Sequence, residues 1–390
     1  MGDVVFFPIG GADSIGASCY FLKLGPYNII LDCGTGLDGE GRVYEPDCMS
    51  LLRSGLVDSM DQIGMIIVSH AHLDHVGALA TFAGCCSNAN IYMTQLTRNV
   101  SHYQLCGRRM GEKGVSGEES LMYEHIFDRV LFVGYSQTMD YGDLKVTFYP
   151  AGHFPGAMMT LFEYEGKRIL YSGDYSLNEN ALSGRCVVPD APVDLLVLCS
   201  INAVRPYKNC RTTNQLDDLM SEINGILETE ASLNCVMKQF SKSVELLMAL
   251  NEGMTCGRIR NVPVYLSKGV LEVVNIVEEQ VGPILNANMH LADSHLARSA
   301  RGSEPFVLIS TEREGMDMPH CVKVDADFTL HDGYLQTVDF IRDVRPGKVV
   351  VVHYDSSCFS GFQWLKRKME TDLGNGTSID FAIRGNKYCL

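Results

Sequence analysis

The chain has 390 residues, 46% of them hydrophobic and 20% charged, which suits a globular protein of about two domains with a large core. Its 47 acidic side chains outnumber 32 basic ones, and the net charge of −15 opposes nonspecific attraction to a polyanion, so a nucleic-acid contact must be local or helped by a partner. No run of about 18 apolar residues occurs, and Met1 to Val5 lacks the basic-then-apolar order of a secretory signal, which predicts a cytoplasmic chain with no membrane contact.

The 14 cysteines are scattered, Cys85 and Cys86 being adjacent, in a chain long enough to fold without staples, so reduced thiols are expected. No Cys-x-x-Cys pair occurs; neither a zinc knuckle nor a thioredoxin-like redox site is expected, and metal chemistry falls to the histidines. Arg108-Arg109 and Lys366-Arg367-Lys368 are small basic clusters of a kind that is usually a solvated helix face.

In chain order, apolar runs bounded by turn residues predict strands at Val4 to Ile9, Cys19 to Leu24, Asn28 to Leu31 and Met65 to Val68. Gly10-Gly11 and Gly34-Thr35-Gly36 punctuate this series. Asp74 to Phe82 reads as the start of a helix, so the histidine-rich segment sits where a strand gives way to a helix. Residues 84 to 142 read as helical and loop excursions. The strand pattern resumes at Leu144 to Tyr149, Met158 to Tyr164 and Lys167 to Tyr171, the last two joined by a Glu165-Gly166 turn, and implies a second sheet. Asp194 to Cys199 is a further apolar strand. Beyond it, helical patterns at Asn214 to Leu227, Ser243 to Leu250 and Gly269 to Glu279 alternate with short strands near Val236, Val264 and Val307, as in a smaller α/β domain. Gly333 to Val344 reads as a helix, Lys348 to Val352 as a strand ending at His353, and Ser378 to Ile383 as a last strand. The closing segment is like the opening one in character. The expected organisation is therefore a first domain over 1–197 and 326–390, split by an insert over 198–325.

Ser69-His70-Ala71-His72-Leu73-Asp74-His75 places three imidazoles and a carboxylate in one short segment. Each histidine alone has an ordinary reading as a hydrogen-bonded core or surface residue, but grouping them without a cation would bury repelling or unsatisfied groups. Neutral imidazoles with a carboxylate suit zinc, and the lack of nearby thiolates favours an open, catalytic site over a closed structural one. One segment cannot complete two coordination spheres. Further donors at strand ends are His153 in Pro150-Ala151-Gly152-His153-Phe154-Pro155-Gly156-Ala157, Asp174 in Ser172-Gly173-Asp174, and His353 after Val349 to Val352. Each alone is more often a cap or turn residue.

Taken in order, His-x-His-x-Asp-His, a later Gly-His, a Ser-Gly-Asp and a last His resemble the motifs of metallo-β-lactamase-fold hydrolases over nearly the whole chain. The resemblance implies an αββα sandwich and two zinc ions: Asp74 and His75 serve one with His353, His70 and His72 serve the other with His153, and Asp174 bridges them. It also implies that Asp32, in Leu31-Asp32-Cys33-Gly34, orients ligands from behind. His72 stands where the oxygen-reducing di-iron branch carries Glu, which argues against iron redox chemistry. Phe328-Thr329-Leu330-His331-Asp332-Gly333-Tyr334 and Val350-Val351-Val352-His353 resemble the closing motifs of the β-CASP subfamily, whose members include ribonuclease J and the endonuclease of messenger-RNA 3′-end processing. That subfamily inserts a smaller α/β domain before these motifs.

The function implied is a dinuclear zinc hydrolase, a phosphodiesterase or nuclease acting on RNA or another single-stranded nucleic acid through a metal-bound hydroxide. The expected catalytic residues are Asp74, His331 and Asp32, with His331 protonating the leaving group. A protein partner or homo-oligomer belongs to the same expectation. The alternatives are a small-molecule ester, thioester or lactone hydrolase of the same fold, and a non-catalytic regulatory subunit. Two departures from the subfamily pattern stand out. Cys199 occupies the strand end where an acidic residue is usual, and Ser310-Thr311-Glu312 replaces a small, Gly-containing loop. A neutral thiol orients a protonated histidine poorly, so the expectation is weakened acid catalysis, a better leaving group than an RNA 3′-oxygen, or a carboxylate supplied from elsewhere.

Overall fold

The computed structural model describes residues 4–107, 117–202, 215–237, 240–292, 304–316, 318–326, 328–356, 362–374 and 376–390. The chain divides into two compact units, one of Met1–Glu179, Arg185–Arg211 and His331–Leu390, the other of Asn180–Gly184 and Thr212–Leu330.

In the first unit, strands with apolar residues at successive positions have two faces to bury. Phe6, Leu22, Ile29 and Ile67 enter one core, while their neighbours Phe7, Phe21, Ile30 and Ile66 enter another. They belong to a sheet with the strand order Tyr388–Cys389, Val4–Gly10, Cys19–Leu24, Tyr27–Leu31, Met65–Ile67, Asn90–Met93, Val130–Phe132. A second sheet has the order Ser378–Phe381, Lys348–Val352, Leu195–Cys199, Lys167–Tyr171, Met158–Tyr164, Leu144–Pro150, Thr138–Tyr141. The sheets face each other across Phe6, Leu22 and Ile67 on one side and Phe148, Phe162, Val197 and Val350 on the other. Each such buried side chain contributes about 1.5–3 kcal/mol. The outer face of the first sheet is covered by helices Met49–Arg53, Leu79–Cys85 and Gly117–Asp128 through Leu51, Phe82 and Phe127. Helix Phe362–Leu373 packs on strand Ser378–Phe381 and on helix Tyr334–Val344, which completes an αββα sandwich.

The second unit carries a five-stranded, all-parallel sheet in the order Met289–Leu291, Val264–Leu266, Val307–Thr311, Leu233–Met237, Val322–Asp325. Helices Gln215–Glu228, Phe240–Thr255 and Lys268–Val281 alternate with these strands, so the unit is α/β in its own right.

Residues 84 to 142 are not helix and loop alone. Strands Asn90–Met93, Val130–Phe132 and Thr138–Tyr141 lie there. The first two are too short for a periodic signal. The third is an edge strand whose exposed polar residues hide its pairing with Leu144–Pro150. The helix expected from Asp74 to Phe82 is two helices, Leu73–Val76 and Leu79–Cys85, because the Ala78 amide leaves the helical ladder to donate to Cys33 O at 2.7 Å. Of the two basic clusters, Lys366 and Lys368 pair with Asp380 and Asp372, as on an ordinary helix face, whereas Arg108-Arg109 lies outside the described residues. Among the described residues, no disulfide joins two cysteines and no helix is long and apolar enough to cross a membrane.

Candidate metal centre

In open α/β sheets, ligands bind outside the carboxyl ends of the strands. Strands Tyr27–Leu31, Met65–Ile67, Lys167–Tyr171 and Lys348–Val352 end just before Asp32, His70, Asp174 and His353. Asp32 (φ 59°) and His353 (φ 56°) both adopt the left-handed conformation, a strain of about 1–3 kcal/mol that turns each side chain off its strand. Helix Leu73–Val76 delivers Asp74 and His75, with His72 as its N-cap residue. The loop after Asp32 and the residue before strand Cys19–Leu24 cradle that helix: Cys33 N donates to His75 O, Thr35 N to Leu73 O and Ser18 N to Asp74 O. A Cβ on Gly34 would lie 1.7 Å from Asp74 O, so only glycine permits this approach.

All seven donors singled out in the sequence converge. His70, His72, His153 and Asp174 form one group and Asp74, His75 and His353 another, with the donor atoms of each group within 4.8 Å of one another. In the first, His72 Nδ1 lies 3.0 Å from His70 Nε2 and 3.3 Å from His153 Nε2. Asp174 Oδ2 lies 3.7 Å from each of those two Nε2 atoms. The same oxygen is 3.5 Å from His75 Nε2, and Asp74 Oδ2 is 3.5 Å from His353 Nε2. Donors about 2.0–2.1 Å from a tetrahedral cation stand about 3.3 Å apart, close to these separations. His75 Nε2, His353 Nε2 and both Asp174 carboxylate oxygens are buried with no hydrogen-bond partner. A donor set of imidazoles and carboxylates, bare and mutually facing, fits a borderline-soft divalent metal.

Asp32 organises the imidazoles from behind. Its carboxylate accepts from Ser69 N (2.6 Å), Ser69 Oγ (2.7 Å), His75 Nδ1 (2.7 Å) and the Tyr171 hydroxyl. Ser69 Oγ in turn accepts from His70 Nδ1 at 3.0 Å. His353 Nδ1 and Ser18 Oγ share a hydrogen bond at 2.6 Å, and in the tautomer with Nδ1 as donor the Nε2 lone pair faces Asp74. Such partners fix tautomer and ring orientation. Ser18, Ser69 and Tyr171 were not recognised as site residues in the sequence, where a serine or tyrosine one layer behind a donor carries no signal of its own.

Residues 13–197 match the Metallo-beta-lactamase superfamily. The chain carries a metallo-beta-lactamase domain. The cleavage and polyadenylation specificity factor subunit 3 of Dictyostelium discoideum is 23% identical over 434 residues, 93% of this chain and 55% of the relative. Integrator complex subunit 11 of Danio rerio is 27% identical over 284 residues, 70% of this chain and 46% of the relative. The chain thus spans roughly half the length of these curated relatives. A crystal structure of a protein of unknown function from Enterococcus faecalis V583 shares the fold, with a TM-score of 0.65 at 14% identity over 100% of both chains.

Electrostatics around the two donor groups match their geometry. Burial and neighbouring imidazoles hold His70 well below its usual range and lower His72 to about 3; burial likewise lowers His353. These rings are neutral at physiological pH, as metal ligation requires. His75 goes the other way: burial disfavours its charge, but Asp174 and Asp32 on either side outweigh that and raise it well above the usual range. Burial alone would raise Asp174, yet His75, His353 and His331 leave it well below the carboxylate range. The carboxylates therefore call for a positive charge at His75 Nε2, which a metal ion supplies as well as a proton does.

His331, the expected acid, stands at the same place, with Nδ1 3.7 Å from Asp174 Oδ2 and its ring 4.6 Å from that of His153. Cys199 is buried, its thiol pushed up by burial, and its Sγ faces the Tyr171 hydroxyl at 3.8 Å. The Asp174 carboxylate facing His331 at 3.7 Å already belongs to the metal-ligand group.

Proposed function

We propose that this chain is a zinc-dependent phosphodiesterase of the β-CASP type that holds two metal ions and cuts RNA or another single-stranded nucleic acid. His70, His72 and His153 would hold one ion and Asp74, His75 and His353 the other. The observation that carries the reading is the position of Asp174 Oδ2, within 3.5–3.7 Å of donors from both groups, where a carboxylate can be shared by two cations. Divalent ions held there would lower the pKa of water and offset phosphate charge. Asp32 orients His75 directly and His70 through Ser69, and His331, on the rim at 21% side-chain exposure, is placed to protonate a leaving oxygen.

The relative named for cleavage and polyadenylation supports a nucleic-acid substrate, and both relatives are named as subunits, which supports a protein partner. The split organisation expected from the sequence, with an insert over 198–325, is proposed for the second unit, and a cytoplasmic location stays part of the proposal. Hydrolysis of a small ester, thioester or lactone is favoured by one feature, the thiol at Cys199 where an acid-orienting carboxylate is usual. The presence of every donor weighs against a non-catalytic subunit.

The test combines metal analysis with a substrate panel of labelled RNA, single-stranded DNA and model esters, using the intact chain, His72→Ala and His331→Ala. About two zinc ions per chain and RNA cleavage lost in both variants are expected. Ester turnover without cleavage of either nucleic acid would replace the substrate class, and near-zero metal would remove the catalytic reading.

A further inference from the structure

His331 Nδ1 is too far from Asp174 Oδ2, at 3.7 Å, for a hydrogen bond, and the strand-end carboxylate usual in the resembled subfamily is here the thiol of Cys199, turned to Tyr171. The next residue in the chain is better anchored. Asp332 is 5% exposed, and its Oδ2 accepts from Leu177 N at 2.8 Å while Oδ1 accepts from Ser176 Oγ at 3.1 Å and Asn178 Nδ2 at 3.4 Å. These donors lie just beyond Asp174 on the same loop. Ser176 N donates to Ala151 O at 2.9 Å, which links that loop to the one bearing His153. Gln336 closes the frame: Nε2 donates to Asn178 Oδ1 at 2.6 Å, and Oε1 accepts from Gly333 N at 3.0 Å. On the other side, Asn202 Nδ2 donates to His331 O at 3.3 Å.

We infer that Asp332 is the positioning residue for His331, holding its backbone in register with the loops of Asp174 and His153 in place of the carboxylate that Cys199 does not supply. A buried carboxylate with three donors from one loop has a single satisfied geometry, and the backbone on either side of His331 is tied down by Asp332 and Asn202. The His153 ring, 4.6 Å from that of His331, borders the side chain. This rests on reading His331 as the acid of the proposed centre.

The test separates acid positioning from general support. Asp332→Asn keeps the size of the side chain and loses an acceptor; Ser176→Ala deletes one donor and keeps the charge. Turnover of a short RNA, whose leaving oxygen needs a proton, is compared with bis(4-nitrophenyl) phosphate, whose leaving group does not. Asp332→Asn is expected to lower kcat on RNA by about 10–100-fold with KM, bound zinc and the nitrophenyl rate unchanged, Ser176→Ala by less, and neither to add any loss in a His331→Ala background. Equal losses on both substrates, loss of zinc, or additive losses with His331→Ala would overturn the inference. If the wild-type chain cuts neither substrate, the proposed function fails separately, and isotope-labelled histidine NMR decides. The His331 ring signals should shift and broaden in Asp332→Asn while those of His290 stay in place, and unchanged His331 signals would overturn it.

Discussion

The strand ends of the two units are furnished with similar polar residues and finished in opposite ways. In the second unit, Ser310 Oγ donates to Asn234 Oδ1 at 2.7 Å, and Glu314 accepts from Ser267 Oγ, Gly269 N, Thr311 N and Thr311 Oγ1 at 2.5–3.2 Å. Among its described residues no buried side-chain nitrogen or oxygen lacks a partner, whereas in the first unit His75 Nε2, His353 Nε2 and the Asp174 oxygens do. Each bare buried group costs about 1–3 kcal/mol. A protein retains several at one spot when something else completes them, so the first set of strand ends is built around a ligand and the second around itself.

The comparison breaks most visibly at Asp174. Asp174→Ala removes the oxygen common to both donor groups and should lower turnover by more than about a hundredfold, with a matching fall in bound metal by elemental analysis. Unchanged metal content would mean that the groups are not coupled through this residue. Next in size is metal removal: chelation should lower the melting temperature by an amount worth several kcal/mol, and zinc should restore it, because the bare groups of the first unit lose their partner. A melting temperature indifferent to chelation would place both sets of strand ends in the same class.

A smaller effect concerns Asp332, whose carboxyl is raised by burial to about 7 despite hydrogen bonds from Leu177 and Ser176. Between the ordinary carboxyl range near pH 4 and pH 7 the folded state holds a proton that the unfolded chain has released, so stability falls as pH rises through that window, by up to ~4 kcal/mol. Asp332→Asn should flatten this part of the stability–pH curve, measured by denaturant titration. The smallest effect is expected in the second unit. Ser310→Ala leaves Asn234 Oδ1 short of its donor and should cost about 1–3 kcal/mol with zinc content unaltered.

Much of the sandwich could be read in advance because its strands are apolar on both faces, as at Cys19–Leu24, Met158–Tyr164, Lys167–Tyr171 and Lys348–Val352, where the expected and observed bounds coincide. Burial on both sides leaves a continuous hydrophobic run that turn residues punctuate. Tyr388–Cys389, which pairs with Val4–Gly10, has no signal in the sequence, since a two-residue strand carries no period. The sequence around Asp74 has the pattern of one helix, because nothing local announces that the Cys33 carbonyl draws the Ala78 amide away.

What the sequence determined by itself is the inventory of donors. Metal ligation selects side-chain types, and the tight His70 to His75 spacing, with Gly and Ser marking the loops of His153 and Asp174, writes those types into short stretches. Tertiary structure alone decided how they act: that His72 turns Nδ1 inward, that Asp174 Oδ2 faces both groups, that Cys199 looks toward Tyr171, and that Asp332 clasps the loop of Ser176. Apart from the approach of His70 to His72, these contacts join residues far apart along the chain, as the Ser18–His353 contact does across 335 positions, and such a contact has no local pattern for a sequence to display.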